Sequence, residues 1–220
     1  MTILFVLLTF LVCMIITYYA ERSQPVVRPS VMVAAPATPR MTRDLGFEVP
    51  KGYSFHPGHT WVLDEGRQNA RVGMDSFAAN LIGKMDRIEV AALNRWVRQG
   101  QKLWSVTHDD VTVDMVSPVE GVVIAVNPEI QKDPDLAGKD PYKDGWVCVV
   151  KSPDLKTNTN NLLRGSFIGP WMQNSIRRVG AMTPQLAGAT AQDGGLPVPG
   201  RLAQVDAATR RAMVKEFFLT

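Results

Sequence analysis

The chain is poor in cysteine and lacks the motifs of the common enzyme classes. Among its 220 residues there are two cysteines, Cys13 and Cys148, and neither belongs to a CxxC pair. A disulfide framework and a zinc-finger site are therefore excluded. The sequence contains no GxSxG, no phosphate-binding GxxxxGK and no HExxH motif, and Ser105 has no base beside it. These absences predict that the protein is not an enzyme.

A strong charge of one sign is also missing. The formal net charge at pH 7 is +3, and no stretch interleaves Lys and Arg with aromatic residues. Proteins that bind nucleic acid use such basic stretches to contact phosphates. We therefore expect no nucleic-acid partner.

Charge, proline and glycine are all absent from residues 3–19, ILFVLLTFLVCMIITYY. As a helix this run is about 26 Å long, at the short end of what crosses a membrane. Tyr18 and Tyr19 at its end are residues that favour the membrane interface. A cleavable signal peptide is the alternative, but the run lacks a positive segment before it and a small-residue cleavage site after it. The pattern favours a single-pass transmembrane anchor within residues 1–20.

Arginine and proline are prominent in residues 21–45. Positive charge follows the predicted anchor, and only the amino terminus precedes it, so the positive-inside rule places the following domain in the cytoplasm. These cations are Arg22, Arg28, Arg40 and Arg43. Prolines at short intervals exclude a helix and predict an extended tether. They are Pro25, Pro29, Pro36 and Pro39.

Short alternating strands separated by turn residues dominate residues 46–172. His59–Val62 (HTWV) has the pattern of an opening strand. Asp75–Ile82 is predicted as a short helix that Asp75 caps and Gly83 ends. Ser117–Gly121 (SPVEG) has the pattern of a tight turn, because Pro118 fixes one φ and Gly121 is free to adopt a positive one. The stretch KDPYKDGW follows at residues 139–146.

Together these motifs resemble the glycine cleavage system H protein, the lipoate carrier. The resemblance covers residues 46–172, and KDPYKDGW is its strongest signature because generic lipoyl and biotinyl domains lack it. It implies a mainly β fold, the lipoyl or H-protein type of barrel-sandwich hybrid, with short helices at Asp75–Ile82 and near Leu162–Met172. Tyr142 and Trp146 are expected to close one end of the sandwich.

In that family a lysine at the tip of a hairpin, just before the SPV-G turn, carries the lipoyl group through an amide bond. Residues 103–131 of this chain contain no lysine. Counting back from Pro118 puts Asp110 at the lysine position, whereas matching on Ser105–Val106 puts Thr107 there. Neither a carboxylate nor a hydroxyl can form that amide. The sequence therefore predicts no lipoyl group and no other cofactor.

The predicted tip is acidic, with His108, Asp109 and Asp110 in a row and Asp114 nearby. An acidic tip suits a basic partner surface, although aspartates that are simply solvated at a turn are the plainer interpretation. A metal site is disfavoured, because neighbours on a strand point to opposite faces and no second histidine is near. Only a tight turn would bring these side chains together. We predict a candidate interaction site and no metal.

Residues 173–220 form a C-terminal extension that the resemblance does not cover. Its stretch 184–200 is rich in Ala, Gly and Pro and is predicted as a loop. Asp206 can cap a final helix over Ala207–Phe218. The chain then ends in apolar residues that dock either on the protein's own domain or on a partner. These candidate contact residues are Phe217, Phe218 and Leu219.

Three classes of function remain. The favoured hypothesis is a membrane-anchored, non-lipoylated H-like protein that serves as a binding or structural subunit of a larger complex. We expect that complex to be a membrane complex. The first alternative is a genuine H-type carrier with an atypical site. The second is a membrane-fusion-type adaptor, which the KDPYKDGW signature, the cytoplasmic orientation and the absence of long heptad repeats disfavour.

Overall fold

Antiparallel strands form the framework of the protein. The computed structural model describes Met14 and residues 41–44, 47–189 and 199–219. The strands are β1 Met41–Asp44, β2 Phe47–Pro50, β3 Ser54–His56, β4 Thr60–Asp64, β5 Asn69–Met74, β6 Arg87–Val90, β7 Trp96–Val97, β8 Lys102–His108, β9 Val111–Val116, β10 Gly121–Val126 and β11 Cys148–Lys151. The helices are α1 Ser76–Ile82, α2 Pro128–Lys132, α3 Leu136–Lys139, α4 Leu155–Asn160, α5 Ile168–Met182, α6 Arg201–Gln204 and α7 Ala207–Phe218, with 3-10 turns at Gly165–Phe167 and Pro184–Ala189.

Two sheets enclose the core. One has six strands in the order β3-β4-β5-β11-β10-β7, and the other has three in the order β6-β8-β9. Side chains from both sheets belong to a single buried cluster, with Val72 and Val150 from the first sheet and Trp104 and Val113 from the second. On β5 (Ala70, Val72, Met74) and β9 (Val111, Val113, Met115) apolar residues at alternating positions belong to this cluster, as the period of a strand requires. The prediction of a mainly β sandwich is confirmed.

Local signals in the sequence set the first helix. The Asp75 carboxylate accepts a hydrogen bond from the Ala78 N–H at 2.7 Å, and Gly83 ends α1 with a φ of 82°. An aspartate at this position satisfies an N–H group that the helix itself leaves unpaired. The predicted helix Asp75–Ile82 therefore agrees with α1 to within one residue.

The KDPYKDGW stretch closes one end of the sandwich. Tyr142 is 1% exposed and packs in a second buried cluster with Tyr53, Phe55 and Trp61. The Tyr53 hydroxyl donates to the Tyr142 carbonyl at 2.7 Å, so the aromatic cluster is tied to the backbone of the stretch. Trp146 packs against the same cluster. The expected structural role of Tyr142 and Trp146 agrees with these contacts.

The C-terminal extension packs on the same core as the strands. The predicted domain boundary at Met172 falls inside α5, because Ile168, Met172 and Val179 continue one buried stripe along that helix. The predicted helix near Leu162–Met172 therefore begins later and runs ten residues further, to Met182. The predicted helix Ala207–Phe218 agrees with α7, and Asp206 caps it through the N–H groups of the first turn.

The described residues that follow Met14 belong to one compact unit. None of the described helices is long and apolar enough to cross a membrane. The predicted anchor at residues 3–19 and most of the tether at residues 21–45 lie outside the described residues.

Candidate functional site

The hairpin that the sequence singled out is present, and its turn consists of Asp109 and Asp110. Strands β8 and β9 pair up to His108 and Val111, which leaves two residues to connect them. Asp109 takes a left-handed backbone conformation, with a φ of 49°, which aspartate tolerates better than most residues. Asp110 therefore lies at the tip itself.

Thr107, the other position that the resemblance aligns with the family's lysine, lies in the ladder and not in the turn. It pairs with Thr112 across the hairpin, and the two hydroxyl groups are 3.1 Å apart. Its backbone carbonyl accepts a hydrogen bond from the Asp86 N–H at 2.9 Å. Of the two alignments, only the one through Asp110 puts the lysine position at the tip.

A residue from outside the hairpin organises the tip. Oδ2 of Asp86, the residue before β6, accepts hydrogen bonds from the His108 ring at Nδ1, 2.8 Å away, and from the Asp109 N–H at 3.0 Å. Its other oxygen lies 3.1 Å from the Lys84 ammonium. The Asp109 N–H, the His108 ring and Lys84 together lower the pKa of Asp86 to about 2. Asp86 is therefore a carboxylate at neutral pH and can only accept hydrogen bonds.

Sequence reasoning missed Asp86, because it lies 22 residues before His108. The contact arises from the pairing of β6 with β8, in which Arg87 is opposite Thr107. The sequence did hold one indication. If a strand pairs antiparallel with β8, the residue just before that strand lies at the hairpin tip. The register needed to identify that residue depends on tertiary packing.

The C-terminal extension reaches the same tip. Arg210 on α7 lies 3.4 Å from Asp110 through Nη1 and Oδ2. The guanidinium is held in place because its Nε donates to the Leu202 carbonyl at 2.8 Å. The Asp110 side chain nevertheless remains 84% exposed, so the ion pair with Arg210 is a weak surface contact. A partner can still reach the carboxylate.

The three terminal contact residues separate into two groups. Phe217 and Phe218 are 2% and 0% exposed and belong to the main core cluster. The expectation that their rings contact a partner is thereby corrected, because the apolar face of α7 is buried against the protein's own domain. Leu219 is 52% exposed and is the part of this candidate contact that stays on the surface.

The remaining two histidines, His59 and His56, do not belong to the hairpin. His59 is 1% exposed, and its Nδ1 lies 2.8 Å from the Asp75 carboxylate. Its ring stacks between Phe77 and Trp171, with centroids 4.1 and 4.5 Å away. Burial, with a smaller effect from His59, lowers the pKa of His56 to about 4. His59 is therefore part of the buried core, the half-buried His56 accepts a hydrogen bond from the Gly58 N–H, and His108 is the histidine that faces the candidate site.

Comparisons with known proteins agree on one family. A sequence model of the family described as "Glycine cleavage H-protein" matches residues 53–173, more than half of the chain. A glycine cleavage system H protein of Thermus thermophilus is 30% identical over 108 residues, which are 49% of this chain and 84% of the relative. A probable glycine cleavage system H protein of Haloarcula marismortui is 31% identical over 119 residues, which are 54% of this chain and 92% of the relative.

This chain is also similar to a solved structure. The crystal structure of a glycine cleavage system H protein from Mycobacterium marinum covers 57% of this chain and 98% of its own, with 22% sequence identity and a TM-score of 0.49. Residues 174–220, which include α6 and α7, lie beyond the region that the family model matches.

Proposed function

Because this chain belongs to the glycine cleavage H-protein family, we propose that it is a member without a lipoyl group that acts by binding a protein partner. The observation that carries this proposal is the turn of the β8–β9 hairpin. The hairpin is retained, and its two turn residues are Asp109 and Asp110. If the fold is kept although the attachment group is absent, the simplest explanation is that its surface still binds a partner.

The chemistry of the tip supports the proposal. Members of the H-protein family are lipoyl carriers. The resemblance implies that the lipoyl group is attached to a lysine amine. Lys102, at the start of β8, pairs with Asp114 at 2.6 Å and lies at the opposite end of the hairpin from the turn. No amine is therefore available in the hairpin tip, and an aspartate carboxylate cannot form the amide.

A genuine carrier with an atypical site is the second candidate function, and one residue favours it. Lys84 lies beside the tip, with its ammonium 3.1 Å from Asp86 and its side chain 65% exposed. It is an accessible amine near the place where the resemblance expects the lipoyl group. Against this candidate, Lys84 precedes β6 in the chain and lies outside the hairpin that the family uses.

The partner surface is proposed to be basic, and the complex is proposed to be at a membrane. Asp109 and Asp110 are 77% and 84% exposed, and two exposed carboxylates at a protruding turn attract a basic surface. Residues 3–19 would hold the protein at the membrane, with the folded domain in the cytoplasm. The relatives are named as glycine cleavage system proteins, so a partner from that system is the first to examine.

Replacing both turn carboxylates by amides tests the contact. In D109N/D110N we expect partner recovery from the detergent-solubilised membrane fraction to fall by about threefold to tenfold, because each exposed ion pair contributes up to about 1 kcal/mol. Asparagine also tolerates the left-handed backbone at position 109, so the melting temperature should change little. Co-purification with quantitative mass spectrometry measures the recovery.

Two control variants define the outcome. D133N removes a carboxylate of similar exposure, 57%, after α2, and W96A removes a half-exposed ring on β7, a strand that pairs with β10. Both are expected to retain the partner. Unchanged recovery with D109N/D110N, or an equal loss with D133N, contradicts the contact at the tip. Recovery of protein and partner entirely from the soluble fraction contradicts the anchor.

A further inference from the structure

One histidine and two aspartates from two separate segments of the chain meet at the hairpin tip. The side chains are His108 and Asp109 from the hairpin and Asp86 from the segment before β6. One ligand atom from each lies within 4.8 Å of the others. On a straight strand His108 and Asp109 would point to opposite faces, but the left-handed turn at Asp109 brings its carboxylate back to the ring, with 3.6 Å between Nε2 and Oδ2.

The two nitrogens of the His108 ring have different neighbours. Nδ1 is 2.8 Å from the Asp86 carboxylate, and because that carboxylate only accepts hydrogen bonds, Nδ1 carries the proton. In the neutral ring Nε2 then has a free lone pair, and it faces the Asp109 carboxylate. A carboxylate that holds one nitrogen of a histidine and directs the other is the arrangement found behind metal-binding histidines.

We propose that His108 Nε2 and Asp109 Oδ2 are the direct ligands of a site for Zn²⁺ or a similar borderline transition-metal ion, with Asp86 as the residue that orients His108. Zinc binds histidine nitrogen and carboxylate oxygen at about 2.0–2.2 Å, so two ligands at a tetrahedral angle are about 3.4 Å apart. The observed separation is 3.6 Å. The ligand pair needs only a few tenths of an ångström of adjustment to hold the ion.

The local charge also favours a cation. Asp86, Asp109 and Asp110 supply three carboxylates, and the two cations paired with them are Lys84 and Arg210. Lys84 contacts Oδ1 of Asp86, so it does not compete for Oδ2, the oxygen that bonds to Nδ1 of the ring. With two protein ligands, the remaining coordination positions of the ion are open to water or to a ligand from a partner. A hard ion such as Mg²⁺, which demands oxygen ligands in octahedral geometry, does not suit this pair.

Histidine NMR of the full-length chain in mild detergent tests the site directly. The chain has three histidines, and because His59 is buried, His56 half-buried and His108 at the hairpin tip, each ring is expected to give a distinguishable signal. Addition of one equivalent of Zn²⁺ is expected to shift or broaden the His108 signal alone, and Mg²⁺ is expected to leave all three unchanged. Equal perturbation of all three signals, or none at all, overturns the proposal.

Calorimetric titration of variants with Zn²⁺ separates the ligands from their surroundings. D86N is expected to weaken binding by about tenfold or more, as loss of an orienting carboxylate does at known sites, and H108N and D109N by at least as much. D110N removes a carboxylate from the same turn without touching the cluster, and it is expected to change the affinity less than about twofold, because its contribution is only long-range charge. An equal loss in D110N, or zinc binding that survives H108N, overturns the site.

The proposal of a zinc site and the proposal of a partner contact can be contradicted independently of each other. D110N is expected to weaken partner recovery while it leaves zinc binding intact. The metal titration uses no partner, so its result stands whether or not the protein binds one. Where H108N does not fold, the shift of the His108 signal in the unchanged chain still decides the question.

Discussion

Replacing Phe217 by alanine is expected to lower the free energy of unfolding by about 3–5 kcal/mol, the range for removal of a large buried aromatic side chain. The ring is 2% exposed and lies edge-on to Phe77, with centroids 5.4 Å apart. It also lies 6.2 Å from the His59 ring, which stacks on Trp171. Truncation leaves a cavity at the junction of α1, α5 and α7. Urea denaturation monitored by circular dichroism measures the change.

Leu219 provides the matched control for Phe217. It lies two positions further along the chain and is 52% exposed, so L219A should change the free energy of unfolding by less than about 0.5 kcal/mol. If F217A is as mild as L219A, the C-terminal helix does not dock on the core as described. The terminal phenylalanines would then again be candidates for a partner contact.

Replacing Gly121 by alanine is expected to cost at least about 2 kcal/mol of stability, because a side chain there is both strained and blocked. Its φ is 149°, and a Cβ atom would contact the Lys151 carbonyl oxygen and lie 2.8 Å from the carbonyl carbon. Those are backbone atoms of the paired strand β11, which cannot move without disturbing the sheet. Thermal unfolding of G121A measures the loss.

Gly180 shows the opposite case within the same protein. It lies in α5, and a Cβ atom added there meets no atom within 4 Å. Alanine is a better helix former than glycine by about 0.5–1 kcal/mol, so G180A should stabilise the protein slightly. A destabilising effect of G180A, or a neutral effect of G121A, contradicts the packing described around these two positions.

The features that the sequence predicted well depend on local chemistry. Asp75 and Gly83 bound α1, and Asp206 starts α7, because capping groups and the backbone they satisfy are only a few residues apart. The sequence also placed an acidic tip at His108, Asp109 and Asp110, and the turn consists of the last two of these residues. The mainly β class likewise follows from those strands and from the turn at Ser117–Gly121.

What the sequence could not predict depends on contacts between distant residues. Asp86 joins His108 only because β6 pairs with β8 in one register. Phe217 was open to a partner or to the core until α7 was placed against α1. The exclusion of a metal site at His108 and Asp109 relied on straight-strand geometry, which the left-handed turn does not follow.

Intact-mass measurement of the protein, isolated from its native cells and again after incubation with a lipoyl ligase, lipoate and ATP, tests the central claim most directly. The Thermus thermophilus H protein treated in the same way is the positive control and should gain one lipoyl group. This protein is predicted to keep its unmodified mass under both conditions, because its hairpin tip carries Asp110 at the position where the resemblance implies the attachment lysine. A lipoyl increment on any residue, with Lys84 the first to check by peptide mapping, would contradict the account.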